Sequence, residues 1–353
     1  MAVFLKGRTV FFKMMRMKPI VTFFCLTLSM LPYGKLRSQG QQDYVLEKKI
    51  SLPGDGGYDY LYLDKQARRL YVSHGDQVEV LDLSTESLIG SVTGMKGVHG
   101  IAIAGKKNKG FISDGDANSV VVFDPLSFKI ISTIPLTGKD PDAITYDSVS
   151  ERVFAFNGHS NNVSVIDVNS LKEIALVPLN GGPEFAVPDH SGKIYLNLED
   201  KSALLVLDSK SLQILKRYSL SPCGGPTGLA LDLDNQRAFS GCRTNKGLTV
   251  TEMKSGKVIA TLPIGAGVDA VAYDKENRLI FCSNGDGTTT VIRQDSPDEY
   301  QVIQTIQTQY RAKTMALDPQ THKIYLSAVD FQPGTKTRIP GTFKILVFIP
   351  PAI

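Results

Sequence analysis

Seven times along the chain an apolar run closes in a short polar turn, and an aromatic follows seven positions after the residue that ends the run. The segments are LYLDKQARRLY (61–71), IAIAGKKNKGF (101–111), ITYDSVSERVF (144–154), FAVPDHSGKIY (185–195), LALDLDNQRAF (229–239), VAYDKENRLIF (271–281) and MALDPQTHKIY (315–325). Their aromatics, Tyr71, Phe111, Phe154, Tyr195, Phe239, Phe281 and Tyr325, are spaced 40, 43, 41, 44, 42 and 44 residues apart. A fixed period of that size predicts a repeat architecture. Each unit continues with a second apolar run, such as VEVLD (78–82) or VSVID (163–167), and a third, such as FKIISTIPL (128–136) or GKVIATLPI (256–264). β-Branched and alternating residues bounded by Asp, Asn, Gly and Ser mark strands with tight turns, and no stretch carries a useful helical period.

Each unit therefore reads as four antiparallel strands: a, ending at the first run; b, carrying the aromatic; then c and d. Such a unit is a propeller blade. The predicted fold is all-β, a seven-bladed β-propeller of four-stranded antiparallel blades over residues 41–353. The second residue of the strand a motif is small in six units (Ala102, Thr145, Ala186, Ala230, Ala272, Ala316) and Tyr62 in the other, which fits strands crowding on an axis. The Asp closing strand c (Asp82, Asp124, Asp167, Asp208, with Glu252 in the fifth unit) is expected to accept backbone N–H groups of the next turn. The chain enters with YVLEKKISLP (44–53), which looks like a strand d with no strand c before it, and ends on KILVFIP (344–350) with no strand d after it. The N-terminal strand should close the last blade as its outermost strand, giving 28 strands. Closure protects sheet edges that invite association, so a monomer is expected.

The repeat resembles the YVTN-type propellers of YncE-like proteins. The segments ALDPQTHKIYLS, RLYVS, VSVIDV and STIPL carry the likeness, which spans about residues 44–350. It departs at Ala104 and Pro188, in place of the strand a Asp, at Arg293, in place of the strand c Asp, and at an insertion in the last unit, FQPGTKTRIPGTF (331–343). The resemblance implies an exported seven-bladed propeller; some relatives bind ligands or nucleic acid. The chain has no Trp, which disfavours the quinone-dehydrogenase and WD types of repeat.

Residues 1–40 have the form of a secretory signal: Lys and Arg up to Lys18, an apolar stretch from Pro19 to Pro32, and a small-residue end with Ser38 and Gly40 placed for cleavage before Gln41. The apolar stretch is short for a bilayer span, which takes about 20 residues. Phe24 before Cys25 does not suit lipid attachment. A periplasmic or secreted location with no membrane span in the mature chain is expected. The whole chain carries a net charge of +4, and the seven Lys and Arg of this segment account for it, leaving 32 basic against 35 acidic residues. That balance and the missing Trp argue against nucleic acid.

In a propeller the loops joining d to a and b to c emerge on one face, around the mouth of the channel. Asp59, His99, Asp142, Pro183, Thr227, Asp269 and Lys313 occupy equivalent places there, with Glu184 and Arg311 beside them. The b–c loops add His74, Asp76, Asp114, Asp116, Asn157, His159, Asn197, Glu199, Arg243, Asn284 and Asp286, whereas His190 and His322 fall on the opposite face as solvated bystanders. His99, Asp142, Glu184, Asp269, Arg311 and Lys313 are the predicted ligand contacts, with His74 and His159 nearer the rim. Such a set favours oxygen-rich, mixed-charge contacts over aromatic stacking. It also suits a divalent cation, although no HExxH, CxxC or DxDxDG pattern is present, and no GxSxG supports nucleophilic catalysis. The leading expectation is a binding module for a small ligand or protein partner; the rival is a metal-dependent hydrolase like propeller lactonases, using a channel cation. Beyond residue 40 three cysteines remain, and antiparallel pairing of strands a and b would bring Cys223 and Cys242 within bridging reach, the alternative being two free thiols, with Cys282 a buried thiol.

Overall fold

The computed structural model describes residues 43–351; residues 1–40, expected to be an export signal, lie outside the described residues. It contains 28 strands and two single-turn 3-10 helices, Gly105–Lys107 and Glu199–Lys201. The strands form seven four-stranded antiparallel sheets arranged as a seven-bladed propeller. Blade 1 comprises Tyr58–Asp64, Arg69–His74, Gln77–Asp82 and Ser87–Val92 as strands a to d, and the order repeats through blade 6. Blade 7 holds Met315–Leu317, Ile324–Ala328 and Lys344–Ile349, and its fourth strand is the N-terminal Val45–Ser51, paired antiparallel with Lys344–Ile349. The ends of the domain thus close one sheet. Tyr44 fixes the entering chain, exchanging two 2.9 Å hydrogen bonds with the Gln304 side chain in the next blade.

The strand b aromatics are 0–4% exposed and fill the space between blades. Each stands directly opposite one strand a residue: Ala102, Thr145, Ala230, Ala272 and Ala316 face Phe111, Phe154, Phe239, Phe281 and Tyr325. Directly paired Cβ atoms are only about 4.5–5.5 Å apart, so a ring on one strand leaves room for a small neighbour on the other. Crowding by the partner aromatic, rather than by the axis, explains these small residues. Tyr62, which tilts against Tyr71 within the interface between blades 1 and 2, and Val187, opposite Tyr195 in blade 4, are the two exceptions.

Blade 4 corrects the sequence register. Val187, not Ala186, faces Tyr195, so the turn is one residue shorter and Asp189 takes the place assigned to Pro188. Asp189 accepts N–H bonds from Ser191 and Lys193, as Asp147 does from Ser150 in blade 3. Glu184 accordingly stands where Pro183 was placed. The strand c acids play the expected turn role: Asp82 accepts from Ser84 and Thr85, and Asp208 from Lys210 and Ser211. Cys223 and Cys242 are joined by a disulfide with Cα atoms 5.2 Å apart, and Cys282 is a buried thiol. Among the described residues no helix is long and apolar enough to cross a membrane.

Candidate functional site

Strand a of each of blades 1 to 6 begins with an extra residue relative to strand b. The registers slip between Tyr58 and Leu61, Val98 and Ile101, Pro141 and Ile144, Pro183 and Ala186, Pro226 and Leu229, and Val268 and Ala270. A bulge re-aims a side chain that a regular pleat would bury. Here it sets Asp59, His99, Asp142, Glu184, Thr227 and Asp269 at equivalent places, with Lys313 at that place in blade 7; Thr227 is fully buried, its hydroxyl donating to the Val268 carbonyl at 3.0 Å.

One step further along each strand the residues are Tyr60, Gly100, Ala143, Phe185, Gly228, Ala270 and Thr314. Five are small because the innermost strands approach closely: a Cβ on Gly228 would lie 2.5 Å from the Val271 nitrogen of the next blade. The two aromatics come from blades 1 and 4, on opposite sides of the ring, and their centroids are 4.8 Å apart. Tyr60 and Phe185 therefore plug the channel and floor the mouth. Polar loop positions alone do not reveal this floor; one aromatic in each of two repeats, at a position small elsewhere, is the available signal. A ligand can meet a ring here as well as charges.

Buried polar groups of strand b hold the bulged backbones in place. Ser113 Oγ donates to the Asp142 carbonyl at 2.5 Å, and Asn197 Nδ2 to the Thr227 carbonyl at 2.9 Å. Ser283 Oγ donates likewise to the Lys313 carbonyl. Each bond runs from one blade to the mouth residue of the next, so the ring positions are set by the blade interfaces.

The mouth has two electrostatic halves. On the first, His99 Nδ1 lies 2.7 Å from Asp59 Oδ2 and 3.5 Å from Asp142 Oδ1, and one ligand atom from each of these three residues falls within 4.8 Å of the others. Burial works to lower the His99 pKa, but the bond to Asp59 and the charges of Asp142, Asp59 and Asp140 outweigh it and lift it to about 9. Burial, then the Asp59 charge, pushes the Asp142 carboxyl well above the usual carboxylate range. On the second half an ion-pair chain runs Glu199–Arg243–Asp269–Lys313, with distances of 3.0, 2.5 and 2.6 Å. Glu184 stands between the halves: burial, then the charges of Asp142 and Glu199, raises its pKa far above the usual range, and the opposing pull of Arg243 does not cancel them. The hydroxyl of Tyr60 is held protonated by burial and by Asp142, Asp59, Glu184 and Asp269.

Of the six predicted contacts, His99 and Asp142 come together with Asp59, Asp269 joins Lys313 to Arg243, and Glu184 feels the charges of both groups. Arg311 sits apart, its guanidinium carbon 5.8 Å from the Phe331 ring centroid and its carbonyl accepting the Tyr58 hydroxyl at 2.7 Å. His159 is at the rim, 80% exposed and 3.5 Å from Asp140. Several b–c residues are structural instead. His74 is buried, 3.1 Å from Glu79 and stacked on Phe343; Asp114 accepts the Gly97 N–H; Asn157 and Asn284 bond within their own blades. On the other face His190 is exposed, but His322 is no bystander: its Nδ1 lies 2.7 Å from the buried Asp274.

This architecture places the chain among seven-bladed β-propellers. No family model and no curated protein matches its sequence. Solved structures match its fold: Kuenenia stuttgartiensis hydrazine synthase superposes with a TM-score of 0.66 at 15% identity, over 79% of this chain and 94% of that one. The structure of U3-55K gives 0.72 at 9% identity, over 85% of this chain and 97% of that one. At such identities the likeness is one of fold.

Proposed function

We propose that this is an exported propeller of the YVTN type whose channel mouth binds a small, positively charged ligand above the Tyr60–Phe185 floor. The observation that carries the reading is the charge imbalance at the mouth. Asp59, Asp142, Glu184, Glu199 and Asp269 converge on His99, Arg243 and Lys313, and both Asp142 and Glu184 are forced toward their neutral forms. Burial raises both carboxyls first, and like charges crowding without enough opposite charge raise them further. A cation supplies what is missing, and an aromatic face beneath it adds attraction to the ring quadrupole. The periplasmic or secreted setting rests on the signal-like residues 1–40.

A thermal-shift screen against Ca²⁺, Mg²⁺, Mn²⁺, Zn²⁺, choline and spermidine tests the reading. At least one cation is expected to raise the melting temperature of the wild type and to leave the Asp142→Asn, Glu184→Gln double variant unmoved. A wild type stabilised by none of them, or shifted no more than the double variant, would count against it.

The Asp59, His99 and Asp142 grouping favours a second reading, metal-dependent hydrolysis. Two carboxylates and an imidazole form a donor set fitting a divalent ion, and such an ion would polarise a substrate carbonyl. In that reading the protonated Glu184 is placed to give a proton. Lactone hydrolysis that chelator removes and Mn²⁺ or Zn²⁺ restores would distinguish it from simple binding.

A further inference from the structure

The insertion in the last repeat builds a second concavity, separate from the channel mouth. A cleft of about 680 Å³ opens between the loop that enters blade 7, through Gln309 and Tyr310, and the segment from Asp330 to Lys336. Its size lies within the roughly 300–1,000 Å³ of small-molecule sites. None of the other six blades has a loop of this length at this place, so the cleft is not a by-product of the repeat. Loops added to a rigid scaffold are where binding residues concentrate.

The wall chemistry is specific. Tyr310 is 48% exposed, and its ring meets Phe331 edge to face at 5.5 Å. The two rings make an aromatic corner that is braced from beyond by Arg311, over Phe331. Beside the corner are hydrogen-bond acceptors held rigid by their own partners. Gln309 donates its amide to the Val329 carbonyl at 2.8 Å and to Asp330 Oδ1 at 2.9 Å, which fixes the amide plane. Lys344 neutralises Asp330 at 2.7 Å, so the carboxylate stays in place. Gln332, on the same segment as Asp330, is exposed at the cleft.

We propose that this cleft binds a saccharide. A pyranose ring has an apolar face of C–H groups and a rim of hydroxyls. The first packs on an aromatic ring by dispersion and by its attraction to the ring's negative face, and the second needs fixed acceptors in the same cleft, which Gln309 and Asp330 supply. A nucleotide fits less well, since Lys336 is the one cation among the residues lining the cleft and Asp330 is an anion there. A purely apolar ligand would leave the acceptors without partners.

The experiment titrates the full chain with soluble gluco-, manno-, xylo- and chito-oligosaccharides and with a uronate-containing one, following the heat of binding. Saturable binding of at least one class is expected. Tyr310→Ala should weaken it at least about tenfold, and Tyr310→Phe, which keeps the ring, should restore it. Melting temperatures should be equal in all three proteins, because Tyr310 is a surface residue. Binding by none of the saccharides, or binding that Tyr310→Ala leaves unchanged, would overturn the proposal. Loss in the Phe variant as severe as in the Ala variant would also overturn it, since the aromatic face would then not be the contact.

Discussion

Glu184 is one carboxyl at the meeting point of two crowded groups. Its pKa in the folded protein lies far above the ordinary value because of burial first and of Asp142 and Glu199 next. Between those two values the folded state holds more protons than the unfolded one, so this residue makes stability fall as pH climbs through the window. His99 acts in the same direction. Its folded pKa of about 9 exceeds its ordinary 6.5, so the stability it contributes is complete below the ordinary value and is lost as pH passes 9. The wild-type melting temperature should therefore decline between pH 6 and 9.5. Glu184→Gln should raise it, and raise it more at pH 9 than at pH 6; a variant less stable than wild type at pH 9 would show that Glu184 is not strained. The positions of His99, Asp142, Asp269 and Lys313 could be read from the repeat, because equivalent loop places recur at a constant offset. Tyr60 and Phe185 could not, since an apolar residue in a strand looks like core until the axis is known. His322 was misread for a similar reason: its partner Asp274 lies in another blade, 48 residues away.

At the scale of single strands, the recurring aromatic and its small partner form the unit of blade packing, and the bulge at the start of strand a forms the unit of the site. Both parts share the same interfaces. Phe154 is fully buried among residues of blades 3 and 4, so Phe154→Ala should cost about 3–5 kcal/mol by urea unfolding. Ser113 has a subtler role, since its hydroxyl fixes the Asp142 carbonyl from the neighbouring blade. Ser113→Ala should weaken cation binding by the mouth while losing about 1–3 kcal/mol of stability, since it leaves the Gly100 N–H and the Asp142 carbonyl without that partner; unchanged affinity would mean that the bulge needs no such support. The period predicted which strands exist, and it erred only where blade 4 dropped a residue from its turn. There Pro188 and Asp189 exchanged roles, because a one-residue slip is invisible when proline and aspartate are adjacent and only the Tyr195 partner decides the register.

Across the whole molecule the ring is completed by Val45–Ser51 against Lys344–Ile349, and a contact between the two ends of the domain makes folding cooperative over all seven blades. Deleting residues 43–51 should leave Lys344–Ile349 as an unpaired edge and lower the melting temperature of the entire domain; a truncated chain melting as the full one does would contradict this closure. The architecture was legible because each blade repeats a few obligatory features, whereas the ligand was not, because the mouth is assembled from single residues of different blades, each unremarkable in its own repeat. The most direct test of a cation site at that mouth is calorimetric titration at pH 8 with the strongest cation of the thermal-shift panel, in two buffers of different ionisation enthalpy. One cation per chain should bind with release of protons, because an arriving positive charge returns Glu184 to its ionised form, and the Asp142→Asn, Glu184→Gln double variant should show neither the binding nor the release. Equal affinity in the double variant, or wild-type binding with the same heat in both buffers, would contradict the account.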